Sequence, residues 1–325
     1  MNEHMAVRAG VVVTMTAALA SSGSVSALAA RDTGPGDARA SRPGAAAGSA
    51  EPAAARQRAD RVWLRMSPLE DERVGVGMPV QVFFSRAIGS AWGKRTVERR
   101  LTVRMSRPVW GAWHWISDRE VDFRPRRYWP VGQRVQVFAD LKGVRIGKGL
   151  YGAHDRVLNF RVGQRHVTRI RDRTLRAVVR KNGRVIRSMP VSLGKRGFRT
   201  WSGTMIAQEK RAKMIMDSDT IGLPGEYRVT TRWNVRITYS GTFVHSAPWS
   251  VDDQGDRNVS HGCVNLSPSN AYWFYRFTNR GDIIRVSGTG RTLTFGNGPT
   301  PWVLSWDRWK LGSAFDRGVK GRPLW

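Results

Sequence analysis

Ser260-His261-Gly262-Cys263-Val264-Asn265 sets the only cysteine of the chain beside a histidine and a glycine, and a second histidine, His245, lies eighteen residues upstream. A thiol becomes a strong nucleophile once ionised, and a nearby imidazole can take its proton or stabilise the thiolate as a cation. Either histidine fits by spacing. His261, two residues away, shares a strand face with Cys263, whereas His245 would reach it through pairing of neighbouring strands. Gly262 has no side chain, so the backbone there can approach a reacting carbonyl, and the N–H groups of Gly262 and Cys263 are candidate donors to the oxyanion that forms. Two other readings compete. One is a small buried cysteine beside an unrelated histidine. The other is a metal centre of Cys263, His261 and His245, for which the sequence offers no obvious supporting shell.

These residues need a scaffold, and length and composition bound what it can be. The 325 residues allow about two ordinary domains. An apolar fraction of 41%, with 14 Trp and 11 Phe, supplies enough bulk to bury for the chain to fold despite a net charge of +29. A lone cysteine excludes an intramolecular disulfide framework, a Cys-rich zinc module and an iron–sulfur cluster. The excess of 54 Lys plus Arg over 25 Asp plus Glu predicts attraction to polyanions without naming one.

Arg8, the apolar stretch Ala9 to Leu19 and the small residues ending in Ala27-Leu28-Ala29 fit a secretory signal over 1–29, cleaved after Ala29. An uncleaved, tilted membrane anchor is the alternative, with no cysteine there to carry a lipid. Residues 30–59, rich in Ala, Gly, Pro, Arg and Ser, read as a flexible linker. Export sets nucleic acid aside as a partner and makes a free cysteine a liability unless it is buried or used.

From Val62 the chain changes to short strand-like runs: Val80 to Phe84, Leu101 to Met105, Trp113 to Ile116, Val121 to Phe123, Val135 to Phe138 and Val157 to Val162. With Gly and Pro between them, these predict a β-sandwich over 60–163. Trp113 and Trp115 share a strand face, as core or as a carbohydrate-stacking surface. His114 and His154 stand isolated, as structural or solvated histidines do.

In the second region Asn182-Gly183 between Thr174 to Val179 and Val185 to Met189 predicts a type I′ hairpin. Val235 to Tyr239, Ser240-Gly241 and Thr242 to His245 predict a second, with His245 at a strand end. Ser267-Pro268 reads as a cap followed by Pro at the first helical position, opening an amphipathic helix with Trp273, Phe274 and Phe277. Gly281-Asp282 ends it and Ile283 to Val286 returns to strand. The fold class is therefore mainly β with at least one helix.

His245-Ser246, a histidine followed by fourteen residues and then Ser260 to Asn265, resembles the active-site signature of the L,D-transpeptidases, cysteine enzymes with a YkuD-like catalytic domain. Ser188-Met189-Pro190, Ile215 to Ser218, Phe243 to Val251, Ser267 to Tyr275 and Arg280 to Ile283 are similar to the two-domain actinobacterial members. Gly111 to Gly163 resembles their immunoglobulin-like domain, and Trp302 with Ser305 to Trp309 their C-terminal extension. The resemblance implies an immunoglobulin-like sandwich over 60–163, a catalytic domain over 164–290 and an extension over 291–325 that packs back on the catalytic domain.

It also implies Cys263 as nucleophile and His245 as general base, with the Ser246 carbonyl orienting the imidazole. His261 supports the thiol, Gly262 belongs to the oxyanion hole, and Asn265 is a structural or substrate-positioning group. Tyr227 is the flap tyrosine, and Met216, Ser240 and Trp249 line the substrate cleft. Ile221 stands where close relatives carry a tyrosine, and the loop Gly222 to Glu226 is shorter than theirs.

The implied reaction is acyl transfer. Cys263 attacks the bond before the terminal D-Ala of a peptidoglycan tetrapeptide stem, and an amine of a neighbouring stem resolves the thioester into a 3-3 cross-link. No cofactor or metal is needed. Met205 to Arg228 is the candidate lid, and carbapenem β-lactams are the expected acylating inhibitors. The partners the resemblance implies are peptide stems; the positive charge adds attraction to anionic wall polymers as one reading of the arginine excess, with a bias of genome composition as the other. An L,D-carboxypeptidase using the same thioester and a non-catalytic wall-binding protein are the alternatives.

Overall fold

The computed structural model describes residues 60–315 and 318–323. The signal and linker expectations, on residues 1–29 and 30–59, lie outside the described residues.

Alternation of apolar and polar side chains builds two five-stranded sheets in the first region. One runs in the order Leu64–Ser67, Val80–Phe84, Glu120–Pro125, Trp110–Ser117, Val319–Lys320. The other runs Arg322–Pro323, Leu101–Met105, Arg134–Ala139, Arg156–Val162, Glu72–Val74. Val82, Val121, Phe123, Val137 and Phe160 fill the core they share. Trp113 and Trp115 are both buried in that core, so core packing accounts for them.

The helix Ala91–Arg100 has no counterpart in the sequence reading. Its local signal is Ser90, whose hydroxyl accepts from the Gly93 amide at 3.2 Å. The Trp, Gly and Arg residues that follow obscure its apolar periodicity.

The second region holds a five-stranded sheet in the order Arg184–Pro190, Arg176–Lys181, His166–Arg171, Ile283–Ser287, Gly203–Ile206. A four-stranded sheet follows in the order Lys210–Asp217, Arg228–Arg236, Phe243–Ser246, Val264–Leu266. Asn182 and Gly183 both have positive φ, 50° and 91°, as a type I′ turn requires. The second hairpin is looser than its Ser240-Gly241 signal implies. Its first strand ends at Arg236, and Ile237 to Thr242 form a wide turn in which the Thr238 hydroxyl accepts from the Thr242 amide at 2.9 Å. The helix Pro268–Phe277, capped by Ser267, buries Ala271 and Phe274 against this core.

The two regions meet where glycine permits close approach. Gly75 and Gly77 donate backbone hydrogen bonds to the carbonyls of Arg280 and Gly281, at 2.6 and 2.9 Å. A Cβ on Gly75 would lie 2.2 Å from the Asp282 nitrogen. Beside this seam the Arg280 guanidinium pairs with Glu72 at 2.7 Å, and His166 meets the buried Asp282 carboxyl at 2.9 Å.

The C-terminal extension departs from the expectation that it packs on the catalytic domain. Its start does so: Leu293 is buried in that core and donates its amide to Ser202, and Val303 still packs against it. From Trp302 onward most of the other partners belong to the sandwich. The Arg124 guanidinium lies 4.7, 5.6 and 5.0 Å from the rings of Trp302, Trp306 and Trp309. Val319–Lys320 pairs with Trp110–Gly111, and Arg322–Pro323 pairs with Arg104–Met105. Open sheet edges and a buried cation facing three indoles hold the tail there.

Candidate active site

Parallel pairing of Phe243–Ser246 with Val264–Leu266 sets Val244 opposite Val264, His245 opposite Asn265 and Ser246 opposite Leu266. Because side chains alternate, Val244, Val264 and Leu266 enter the core while His245 and Asn265 face the other way. Cys263, two residues before Asn265, follows it onto that face. His245, Cys263 and Asn265 line one cleft of about 390 Å³ together with Met216, Tyr227, Val229, Trp249, Val259, Ser260 and His261.

The His245 ring is fixed by its own chain. Its Nδ1 lies 2.9 Å from the Ser246 carbonyl, so Nδ1–H donates and Nε2 keeps its lone pair. Burial pushes this imidazole down to about 4, opposed only weakly by that hydrogen bond. Trp249 covers it, with ring centroids 6.1 Å apart.

Enclosure pushes the Cys263 thiol up to about 11, against the smaller pull of the Phe243 amide and the Arg236 charge. The thiol donates to the Gly241 carbonyl at 3.7 Å. At neutral pH the site therefore holds a neutral thiol and a neutral imidazole.

Ser260 ties the Cys263 loop together. Its hydroxyl donates to the Cys263 carbonyl at 2.7 Å and accepts from the Gly262 amide at 3.1 Å. Gly262 sits at φ 123°, a conformation L side chains rarely adopt, which is why glycine occupies this position. Its amide is spent on Ser260, contrary to the expected oxyanion role. The Cys263 amide has no hydrogen-bond partner among the described residues.

His261 lies between the rings of Phe198 and Tyr227, at 4.8 and 5.1 Å, and its Nε2 is 3.4 Å from the Glu226 carboxylate without hydrogen-bond alignment. These contacts join it to the flap residues Tyr227 and Glu226, while it lines the same cleft as Cys263. Burial, and then the negative charges that Cys263 and Asp217 can carry, push the Tyr227 phenol up to about 12, so it stays a hydroxyl donor.

Asn265 donates from Nδ2 to Ser250 at 3.0 Å, and its Oδ1 is buried without a partner among the described residues. Ser240 is the one expected cleft residue placed elsewhere. Its hydroxyl accepts from the Trp201 indole at 3.1 Å and from Asn297 at 2.9 Å, which turns it toward the C-terminal segment.

The lid is narrower than Met205 to Arg228. Met205, Ile206 and Ala207 are core residues, because Gly203–Ile206 is an edge strand of the five-stranded sheet. What projects is the hairpin of Lys210–Asp217 on Arg228–Arg236 with its connecting loop. Asp219 accepts from the Gly225 amide at 2.9 Å, and Ser218 from the Tyr227 amide at 3.0 Å. Ile221 lies in the short helical turn Ser218–Ile221. Phe198, Gly241, Val229, Val259 and Glu226 escaped the sequence reading, since each reaches the site by tertiary contact alone. Among the described residues no group of three or more His, Cys, Asp or Glu could hold a metal ion.

Comparison with known proteins agrees with this architecture. A bacterial Ig domain family matches residues 39–145, and the L,D-transpeptidase catalytic domain family, YkuD, matches residues 164–286. L,D-transpeptidase 2 of Mycobacterium tuberculosis is 41% identical over 252 residues, which is 76% of this chain and 61% of that protein. The chain thus spans about three fifths of that relative's length. L,D-transpeptidase 1 of the same species is 38% identical over 229 residues, 69% of this chain and 84% of that protein. The solved structure of LD transpeptidase LdtMt1 in complex with imipenem matches with a TM-score of 0.60 at 36% identity, over 69% of this chain and 97% of that one. Matched by the catalytic-domain family and by a relative along most of that relative's length, the chain belongs to the L,D-transpeptidase family.

Proposed function

We propose that this chain is an exported peptidoglycan L,D-transpeptidase that forms 3-3 cross-links through a thioester on Cys263. The observation that carries the reading is the parallel register of Phe243–Ser246 on Val264–Leu266, which lines one cleft with His245, Cys263 and Asn265.

The thiol turns its proton from the Gly241 carbonyl to His245 Nε2 as the sulfur attacks the carbonyl preceding the terminal D-Ala of a tetrapeptide stem. The C–S bond forms, the C–N bond breaks, and the proton passes from the imidazolium to the departing D-Ala amine. The side-chain amine of a third-position diamino acid on a second stem then attacks the thioester. That amine gives its proton to His245, the new C–N bond displaces the sulfur, and the thiol is regenerated. The Tyr227 hydroxyl and the Cys263 amide are the donors suited to the oxyanion, and the unpartnered Asn265 Oδ1 suits an incoming stem N–H. Cover by Trp249 and the 210–236 hairpin favours the amine over water.

The test is intact-protein mass spectrometry after incubation with a carbapenem, together with product analysis on tetrapeptide stems. Expected are a covalent adduct and cross-linked dimers formed with loss of D-Ala, both absent in Cys263→Ala. Tripeptides without dimers would instead assign an L,D-carboxypeptidase. Products unchanged by Cys263→Ala would assign a wall-binding protein without catalysis.

A further inference from the structure

The outer face of the five-stranded sheet carries a second cavity, of about 370 Å³, that shares no lining residue with the catalytic cleft. Four arginines, Arg165, Arg169, Arg180 and Arg285, line it beside Tyr128 and Val167. Strand register explains the gathering. Arg169 lies directly opposite Arg285 on a parallel neighbour, and Val167 lies opposite Arg180 on the other side, so three adjacent strands turn cations to one face. Tyr128 reaches in from the sandwich, and the Arg165 guanidinium lies 6.0 Å from its ring centroid.

Like charges directly opposite across strands destabilise a sheet unless countercharge is supplied. None is supplied by the described residues. Among the described residues, none of the four guanidinium groups forms an ion pair with a carboxylate. Their hydrogen-bond partners are neutral: Arg180 donates to the Gly183 carbonyl at 2.9 Å and Arg285 to the Thr204 hydroxyl at 3.2 Å. The Nε of Arg180 is buried without a partner among the described residues.

We infer that this cavity is an anion-binding site separate from the catalytic centre, and that its ligand carries at least two phosphate groups. Guanidinium forks match phosphate oxygens in bidentate geometry, and four of them around one cavity exceed what a single carboxylate neutralises. The strand spacing of roughly 5 Å lets one phosphate accept from both Arg169 and Arg285, leaving Arg165 and Arg180 for a second. Tyr128 and Val167 supply the apolar walls that make the site a pocket rather than a charged surface.

The test titrates inorganic tripolyphosphate into the full chain by calorimetry and follows its effect on thermal unfolding. Three proteins are compared: the wild type, R169Q/R285Q, and R95Q/R100Q, which removes the same charge from the exposed side of the helix Ala91–Arg100. Expected is a melting temperature that rises with tripolyphosphate in the wild type. R169Q/R285Q should bind about tenfold or more weakly and R95Q/R100Q within about twofold of wild type. Ligand-free R169Q/R285Q should melt no lower than wild type and react with a carbapenem at Cys263 at the wild-type rate, which excludes unfolding as the cause. Vesicles containing phosphatidylglycerol form a second arm. Vesicle binding lost in R169Q/R285Q identifies lipid headgroups as the phosphate source, and tripolyphosphate binding without vesicle binding identifies a soluble phosphate chain. Equal weakening in both variants, polyglutamate binding as tight as tripolyphosphate, or no binding at all would overturn the inference.

Discussion

Cys263 and His245 share a cleft but not a hydrogen bond: the thiol donates to the Gly241 carbonyl while the imidazole is anchored through Nδ1 to the Ser246 carbonyl. Burial sets both proton equilibria. His245 is neutral above about 4 and Cys263 is protonated below about 11, so the pair is uncharged throughout that interval. Simple alkylation, which needs thiolate, should accelerate about tenfold per pH unit between pH 6 and 9. Carbapenem acylation, in which His245 takes the proton during attack, needs only the neutral imidazole, so its rate should rise through pH 4 and stay level to about pH 9. Iodoacetamide and carbapenem kinetics across this range check both profiles. An alkylation plateau from pH 5 upward would reveal a preformed ion pair and refute the neutral resting state.

Ser260 tests the geometry of the Cys263 loop. Its hydroxyl bridges the Gly262 amide and the Cys263 carbonyl, so Ser260→Ala leaves two backbone groups without that partner. The expected cost is about 1 to 3 kcal/mol of stability. Acylation of Cys263 should fall about tenfold because the thiol is no longer held. Ser260→Thr keeps the hydroxyl and should retain most of the activity. Urea denaturation and acylation rates of the two variants provide the measurement, and equal behaviour would remove the bridge from the account.

Two flap residues separate chemistry from latching. Tyr227→Phe removes a donor held in its protonated form, so acylation should slow about a hundredfold with little change in substrate KM. Glu226→Gln weakens a partly exposed contact to His261, a kind of pair worth about 1 kcal/mol or less. Its effect should stay within about fivefold and vanish at high salt. Steady-state kinetics at low and high ionic strength distinguish the two. A large, salt-independent loss in Glu226→Gln would move that carboxylate into the catalytic machinery.

That Cys263 shares a cleft with nearby histidines was legible because the signals are local, although spacing alone left His245 and His261 open and only the family resemblance favoured His245. A histidine between Val244 and Ser246 and a cysteine two residues before Asn265 announce strand faces, and pairing follows from apolar neighbours that must enter one core. Ser240 was misread because the Ser240-Gly241 turn signal does not reveal that the turn widens to six residues and directs the hydroxyl to Trp201 and Asn297. Met205 carried the same ambiguity: the glycines and charged ends of the segment Met205 to Arg228 suggest a moving loop and do not reveal the edge strand that claims its first residues. The helix Ala91–Arg100 announced itself only by Ser90. Partners far apart in sequence, such as Gly75 with Asp282 or Arg124 with three tryptophans, leave no local pattern to read.

The seam between sandwich and catalytic domain depends on Gly75. A methyl group there would sit 2.2 Å from the Asp282 nitrogen, a backbone atom that cannot swing aside, and would also press on the Asp282 side chain at 2.4 Å. Gly75→Ala should therefore destabilise the chain by about 3 kcal/mol through overpacking. The damage is confined to the seam, so the remaining folded protein should still be acylated at Cys263. Calorimetric unfolding should show one transition in the wild type and a broadened or divided one in the variant as the two regions lose their mutual support. An unchanged transition would mean the seam relaxes freely.

Trp309 decides which domain the C-terminal extension serves. It is fully buried, stacks on His114 with centroids 4.5 Å apart, and donates its indole N–H to the Ala112 carbonyl at 2.9 Å. Just beyond it, the Ser313 hydroxyl and the Ala314 amide donate to the buried Glu98 carboxyl at 2.7 and 2.6 Å, and the Trp115 indole donates to the same group at 2.9 Å. All of these partners belong to the sandwich. Trp309→Ala should cost about 3 to 5 kcal/mol by leaving a cavity and an unpaired carbonyl. Because the contact is remote from Cys263, the carbapenem acylation rate at a temperature where the variant is folded should match wild type. A variant that keeps its melting temperature but loses acylation would return the extension to the catalytic domain. A variant that melts lower and acylates normally would tie its role to the sandwich, where the cation of Arg124 and the open strand edges already hold it.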